Sequence, residues 1–199
     1  MSPISNDSIG DFVINSCKKI GINTLLLEKV SNLKNTLAIV DTMGDKTNAV
    51  LYREKPADLF IDETFLKKVD LDSYLMIIVT GTSLSRNPSR NNVLKLMELA
   101  IKRKIEIVLD IDYREGSWDD KKKAEKTLYS ASLLSNIVVG NDLEFNFMSS
   151  DKNRGLSLAS KLSKKNKITT IYKMGSKGLY YFNKNNKHYL KSFKVKSIK

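Results

Sequence analysis

Apolar residues recur at helical spacing over residues 8–20, where Ile9, Phe12, Val13, Cys17 and Ile20 share one side before Gly21 ends the run. A short extended segment is predicted around Leu25–Leu27. Thr36–Val40 and Ala49–Arg53 are strand-like and flank Met43-Gly44-Asp45-Lys46, a turn signal, so this stretch predicts a β-hairpin. Asp62 is placed to cap a short helix through Val69. Tyr74–Thr80 follows as a buried strand, then the loop Gly81–Arg90. A helix is predicted from Ser89 to Arg103, with Val93, Leu96, Met97 and Ala100 on one face. Strand Ile105–Ile111, helix Asp119–Leu134, strand Asn136–Val139 and helices at Leu143–Met148 and Leu156–Lys164 continue the alternation. The end is β-rich: Ile168–Lys173, Leu179–Phe182 and Tyr189–Val195, with a turn at Asn183–Lys187.

Strand and helix alternating through short connections predicts a parallel sheet with helices on both faces. The early hairpin stands outside that alternation and fits a small lid. Three polar clusters then acquire a meaning. Asp110-Ile-Asp112-Tyr-Arg114 follows one predicted strand, Asn141-Asp-Leu-Glu144 a second, and Lys173-Met-Gly175-Ser-Lys-Gly178 a third. In open α/β sheets ligands bind beyond the carboxyl ends of the strands, so the clusters suggest one shared phosphate or sugar site. Each cluster also has a plainer use. Gly175–Gly178 serves as a hairpin turn, acids after strands cap helices, and Arg114 pairs with Asp110 or Asp112 to hold a loop.

Composition narrows the choice. The 199 residues, 41% hydrophobic, suffice for one sizeable domain. No apolar stretch approaches the roughly 18 residues that cross a bilayer, so no membrane role is expected, and the start of the chain has no signal-peptide pattern. One cysteine, Cys17, rules out an internal disulfide, fits a reducing cytoplasmic setting and reads as a structural thiol. One histidine, His188, argues against a zinc site. The net charge of +12 invites a nucleic-acid partner, but its distribution argues against one. Residues 161–199 carry 12 lysines and no acid, with no basic block interleaved with aromatics.

Two further segments, Leu51-Tyr-Arg-Glu-Lys-Pro-Ala-Asp58 and Gly81-Thr-Ser-Leu-Ser-Arg-Asn-Pro-Ser-Arg90, complete a recognisable order with the three clusters and Trp118. In that order the chain resembles the PfkB, or ribokinase-like, carbohydrate kinases over essentially residues 1–199, beginning at Ser5-Asn-Asp-Ser-Ile-Gly-Asp-Phe. The resemblance implies a three-layer α/β/α fold with a mostly parallel sheet and the hairpin of about residues 36–53 inserted as a lid. It implies ATP-dependent phosphorylation of a keto-sugar acid, with 5-dehydro-2-deoxygluconate of inositol catabolism the expected one. Activity on 2-keto-3-deoxygluconate, fructose or ribose remains an alternative. It also implies pairing of two copies through the lid.

Residue roles follow from the same resemblance. Tyr52 and Arg53 contact the sugar acid, the arginine through paired hydrogen bonds to a carboxylate. Asp112 and Arg114 face the junction of sugar and nucleotide, with Arg114 stabilising charge on the transferring phosphoryl group. Asn141 and Glu144 arrange Mg²⁺ and the phosphates, Glu144 through water. Lys173, Gly175 and Gly178 border ATP, where glycine lets backbone N–H groups come close. No Walker phosphate loop occurs.

The chain departs from the family in lacking the Gly-Ala-Gly-Asp motif, whose aspartate is the family's general base and whose helix start binds phosphate. The family's first strand and its Gly-Gly sugar-binding segment are absent as well. The expectation is a domain incomplete at both ends and inactive alone. A non-catalytic nucleotide- or sugar-binding module is the competing reading.

Overall fold

Two sets of residues pack on themselves in the computed structural model, which describes residues 1–43, 46–151 and 153–194, with the side chains of 41–49 left aside. The first set is Met1–Asp70 with Arg86–Asn92; the second is Leu71–Ser85 with the chain from Val93 onward.

In the first unit, strand β1 (Ser2–Ser5) runs parallel to β2 (Leu27–Val30), with helix α1 (Ser8–Lys19) between them. Asp7 starts α1: its Oδ1 accepts the N–H groups of Ile9 and Gly10, both at 3.1 Å. Lys18 and Lys19 lie in the last turn, where positive charge complements the helix dipole. Gly10 lets the helix lie on the strand, because a Cβ there would stand 1.8 Å from the Ser5 carbonyl oxygen. The predicted hairpin is present as β3 (Leu37–Met43) and β4 (Lys46–Tyr52), antiparallel, with Leu37 opposite Tyr52 and Ile39 opposite Val50. Gly44 and Asp45 of its predicted turn lie outside the described residues. Asp62 caps a single helical turn, α2 (Glu63–Leu66), by accepting the Phe65 N–H at 2.8 Å. That helix is shorter than the expected run to Val69.

The second unit is built on a six-stranded sheet in the order β10-β9-β8-β7-β6-β5. Strands β5 (Met76–Thr80), β6 (Glu106–Asp110), β7 (Ile137–Asn141) and β8 (Thr169–Lys173) are parallel. β9 (Leu179–Asn183) and β10 (Asn186–Leu190) close the sheet as an antiparallel hairpin. Helix α3 (Ser89–Lys102) lies between β5 and β6 in the chain, α4 (Lys121–Leu133) between β6 and β7, and α5 (Asp142–Met148) and α6 (Gly155–Asn166) between β7 and β8.

Because the parallel strands advance one way across the sheet, right-handed crossovers carry α4, α5 and α6 to the same face. There α4 packs on α5, α5 on α6, and α5 and α6 on β8. Leu128, Phe145 and Leu162 from these helices and Ile107, Leu109 and Val138 from the strands are all buried. On β5, by contrast, Met76 and Ile78 remain 41% and 71% exposed.

The last strand differs from expectation. It spans Asn186–Leu190 rather than Tyr189–Val195, and Val195 itself lies outside the described residues. The reason is a tight turn: Lys184 adopts φ +54, so pairing restarts at Asn183 opposite Asn186. Among the described residues, no helix is long and apolar enough to cross a membrane.

Candidate functional site at the carboxyl ends of the sheet

The second unit brings the three polar clusters together. β6 ends at Asp110, and the next residue, Ile111, is buried and donates its N–H to the Val139 carbonyl at 2.9 Å. That anchor turns the chain outward at Asp112, whose φ of +31 is uncommon for a residue with a side chain. The Asp112 carboxylate pairs with Arg114 Nη2 at 2.8 Å and accepts the Thr82 hydroxyl at 3.3 Å. Arg114 keeps 60% of its side chain exposed.

β7 ends at Asn141, which starts α5 through a reciprocal cap. Asn141 Oδ1 accepts the Glu144 N–H at 2.9 Å, and Glu144 Oε2 accepts the Asn141 N–H at 2.7 Å. The Asn-x-x-Glu spacing therefore has a local cause besides any ligand. Gly140 makes the room: a Cβ there would lie 2.4 Å from Ile111 Cδ1 and 3.2 Å from Glu144 Oε2.

β8 ends at Lys173, in register with Asn141, and its Nζ lies 3.9 Å from Asp110 Oδ1. Glu144 is buried. Its carboxyl is pushed above the ordinary carboxylate range, first by burial and also by Asp110 and Asp112, against the pull of the Asn141 N–H and Lys173.

Beyond Lys173 the chain makes a turn that requires its glycines. Gly175 has φ +57 and Gly178 φ +87. The Met174 N–H donates to the Gly178 carbonyl at 2.8 Å, while hydroxyls from β10 and beyond grip the outside. Tyr189 donates to the Lys177 carbonyl at 2.8 Å and Ser192 to the Ser176 carbonyl at 2.5 Å.

A cleft of about 810 Å³ adjoins the cluster, lined among others by Tyr113, Arg114, Lys121, Asn141, Glu144 and Phe147. Tyr113 stacks on Phe147 with ring centres 3.7 Å apart. Tyr113 and Thr82 lie within the family-like segments without a role assigned from sequence, and Phe147 lies in none of them; their contacts become visible only once the strand ends are adjacent. No group of three or more His, Cys, Asp or Glu side chains among the described residues is disposed to hold a metal directly.

Tyr52 and Arg53, the residues expected to contact the sugar, belong to the first unit. Tyr52 closes β4 and is 58% exposed. Arg53 is ion-paired with Asp58, with only 14% of its side chain exposed, and Asp58 also accepts the Thr36 hydroxyl at 2.8 Å. Arg53 is thus already engaged with a carboxylate of its own chain. Asp7, from the family-like opening segment, and Lys34 and Asn35, which no sequence motif singles out, line a cleft with Tyr52 and Arg53. The Asp7 carboxyl is lowered to about 2, first by the Ser5 hydroxyl and then by the Gly10 N–H and Lys34.

A model of the pfkB family of carbohydrate kinases matches residues 1–199. The 5-dehydro-2-deoxygluconokinase of Clostridium tetani is 30% identical over 207 residues, an alignment covering 100% of this chain and 61% of that protein. The fructokinase of Vibrio cholerae O395 with fructose, ADP and calcium bound superposes with a TM-score of 0.78 at 17% identity, over 98% of this chain and 63% of that one. A sugar kinase of Pyrococcus horikoshii in complex with ATP gives 0.80 at 22% identity, over 98% and 62%. The chain therefore spans 61% of the length of that curated relative and has the ribokinase-like α/β fold of the two solved kinases. Matched by that family model over residues 1–199, the chain belongs to the pfkB family of carbohydrate kinases.

Proposed function

We propose that this chain supplies nucleotide and sugar contacts for ATP-dependent phosphorylation of a keto-sugar acid, 5-dehydro-2-deoxygluconate, in the inositol catabolism of the cytoplasm. One observation carries the nucleotide half. Asp110, Asp112, Asn141, Glu144 and Lys173 meet at the ends of three adjacent parallel strands, beside the turn with Gly175 and Gly178. Phosphoryl transfer depends chiefly on positioning and charge stabilisation, which such dispersed groups can provide. Arg114 would neutralise charge on the transferring group and exchange Asp112 for it, its exposed guanidinium being free to turn. Lys173 and the N–H groups of the 175–178 turn would hold the phosphates.

Mg²⁺ fits this donor set through water. The carboxylates of Asp110, Asp112 and Glu144 are hard oxygen ligands, close enough to influence one another but not gathered into a direct cage. Magnesium commonly keeps several of its waters, and the bound ion would neutralise phosphate charge. On the sugar side, the curated relative's substrate favours a keto-sugar acid. Fructose remains the runner-up by structural likeness.

The 199 residues contain no Gly-Ala-Gly-Asp, and no other acid is proposed as the general base. The chain alone is therefore expected to bind ATP without transferring phosphate. A coupled assay for ADP release with 5-dehydro-2-deoxygluconate, alongside calorimetry with Mg·ATP, checks this. Turnover above the background rate would show that a base is present; absence of ATP binding would remove the nucleotide half.

The hairpin supports a lid that pairs with a second copy. Leu37, Tyr52, Ile39 and Val50 share one of its faces and are 42%, 58%, 56% and 55% exposed. Across the strands, Val40 and Leu51 are exposed on the opposite face. Sedimentation equilibrium is expected to show a dimer that Ile39→Lys dissociates; a wild-type monomer at high concentration would remove this part.

A further inference from the structure

The first unit contains a cleft of about 400 Å³ whose lining includes Asp7, Lys34, Asn35, Tyr52, Arg53 and Glu54. Asn35 presents a fixed donor there. Its Oδ1 accepts the Ser5 N–H at 2.9 Å, so the reverse amide orientation would set two donors against each other. The Nδ2 that remains is buried and has no hydrogen-bond partner. Buried polar groups are almost always paired, and an orphaned donor beside a cleft calls for an acceptor from outside.

Lys34 supplies the charge. Its Nζ touches Asp7 Oδ2 at 3.1 Å, yet 71% of its side chain is exposed, and an ammonium has three donors to share. Arg53, the cation that the motif suggests, is held by Asp58 and 14% exposed. Releasing it toward a ligand would leave the Asp58 charge with the Thr36 hydroxyl and without its cation, whereas Lys34 can take a new acceptor while keeping Asp7. The rim also carries the carboxylates of Asp7 and Glu54. With Arg53 held by Asp58, Lys34 is the cation left to share beside these acids, which suits at most one negative group and disfavours a dianionic phosphate.

We propose that Lys34 and Asn35 bind the carboxylate of the acidic sugar, and that this pair rather than Arg53 sets a preference for acids over neutral sugars. The proposal rests on the sugar-acid kinase reading above. It assigns Nζ of Lys34 the charge and Nδ2 of Asn35 the direction of one carboxylate oxygen.

The test is NMR titration of the chain with 5-dehydro-2-deoxygluconate and with neutral 2-deoxyglucose, for wild type, Lys34→Met and Asn35→Asp. Asn35→Asp keeps the acceptor for the Ser5 N–H and replaces the donor by an oxygen. Each variant is expected to weaken the acid at least about tenfold, the usual scale for losing one charge-assisted contact, and to leave the neutral sugar unchanged. Lys34 is exposed, so its variant stays folded and carries the test even if Asn35→Asp does not.

Unchanged acid affinity in Lys34→Met overturns the proposal, as does equal loss for both sugars. A wild-type chain that binds ATP but not the acid also overturns it, while leaving the nucleotide site standing. Acid binding lost selectively in the variants, in a chain that fails to bind ATP, supports it and removes the nucleotide half instead.

Discussion

Glu144→Ala is expected to damage both stability and nucleotide affinity, whereas Glu144→Gln is expected to damage affinity alone. The side chain has two tasks. It accepts the Asn141 N–H to begin α5, and it places a negative charge beside Lys173, Asp110 and Asp112. Alanine removes the acceptor and leaves a partly buried donor unpaired, at about 1–3 kcal/mol, or roughly 2–4 °C of melting temperature per kcal/mol for a chain of this size. Glutamine retains a carbonyl acceptor at the same reach, so the cap survives. Affinity for Mg·ATP should fall about 10–100-fold in both variants, the range seen when an outer-sphere metal partner is lost.

The pH dependence has a definite sign. Burial raises the folded-state pKa of Glu144, so the folded chain holds this proton more tightly than the unfolded one. Its stability contribution is fully present and constant below both values and is lost as pH rises from the ordinary carboxylate range through the raised one. Melting curves of wild type should therefore drop relative to Glu144→Gln across that window and run parallel beneath it. A glutamine variant that binds Mg·ATP like wild type would confine Glu144 to helix capping.

The second large effect is steric. Gly81 follows β5 in a tight turn, and a Cβ there would lie 2.0 Å from the Ile111 carbonyl oxygen and 2.7 Å from Leu128 Cδ2. The first obstacle is backbone, which cannot swing aside. Gly81→Ala should therefore cost at least the upper part of the about 1–3 kcal/mol typical of overpacking. The strain has a functional address, because the segment it pushes is Ile111–Asp112 and Thr82 is bonded to Asp112. Melting temperature and Mg·ATP affinity should fall together. Gly116→Ala is the control: nothing lies within 4 Å of its Cβ position, and neither quantity should move. An alanine at 81 with the melting temperature of wild type would mean that the ends of β5 and β6 are further apart than described.

Local patterns carried much of the fold. The helical stripe from Ile9 to Cys17, the hairpin and the alternation from residue 74 to 182 were legible because each element shows its own period. Strand β1 was not. Ser2–Ser5 is four residues long, contains a proline and pairs with β2 across the whole of α1. The end of β10 departs from the apolar run, which invites extension, because the turn at Lys184 sets the register.

The candidate site divides in the same way. Asn141 and Glu144 announce themselves by spacing, since the cap that orients them is local. Gly175 and Gly178 do so by their backbone demands. The Arg53–Asp58 pair, the Tyr113–Phe147 stack and the Lys34–Asn35 corner depend on contacts between separated residues, for which no periodicity exists. Gly81 and Gly140 both make room for Ile111, a relation visible only once the strands are side by side.

Amide-resolved NMR titration of the chain with Mg·ATP tests the central claim most directly. The expected result is saturable shifts concentrated at Asp112, Asn141, Lys173 and the Gly175–Gly178 turn, where three strand ends gather the polar residues. Shifts centred instead on the lysine-lined surface of Lys161, Lys164, Lys165 and Lys187, or no shifts at saturating ATP, would contradict it.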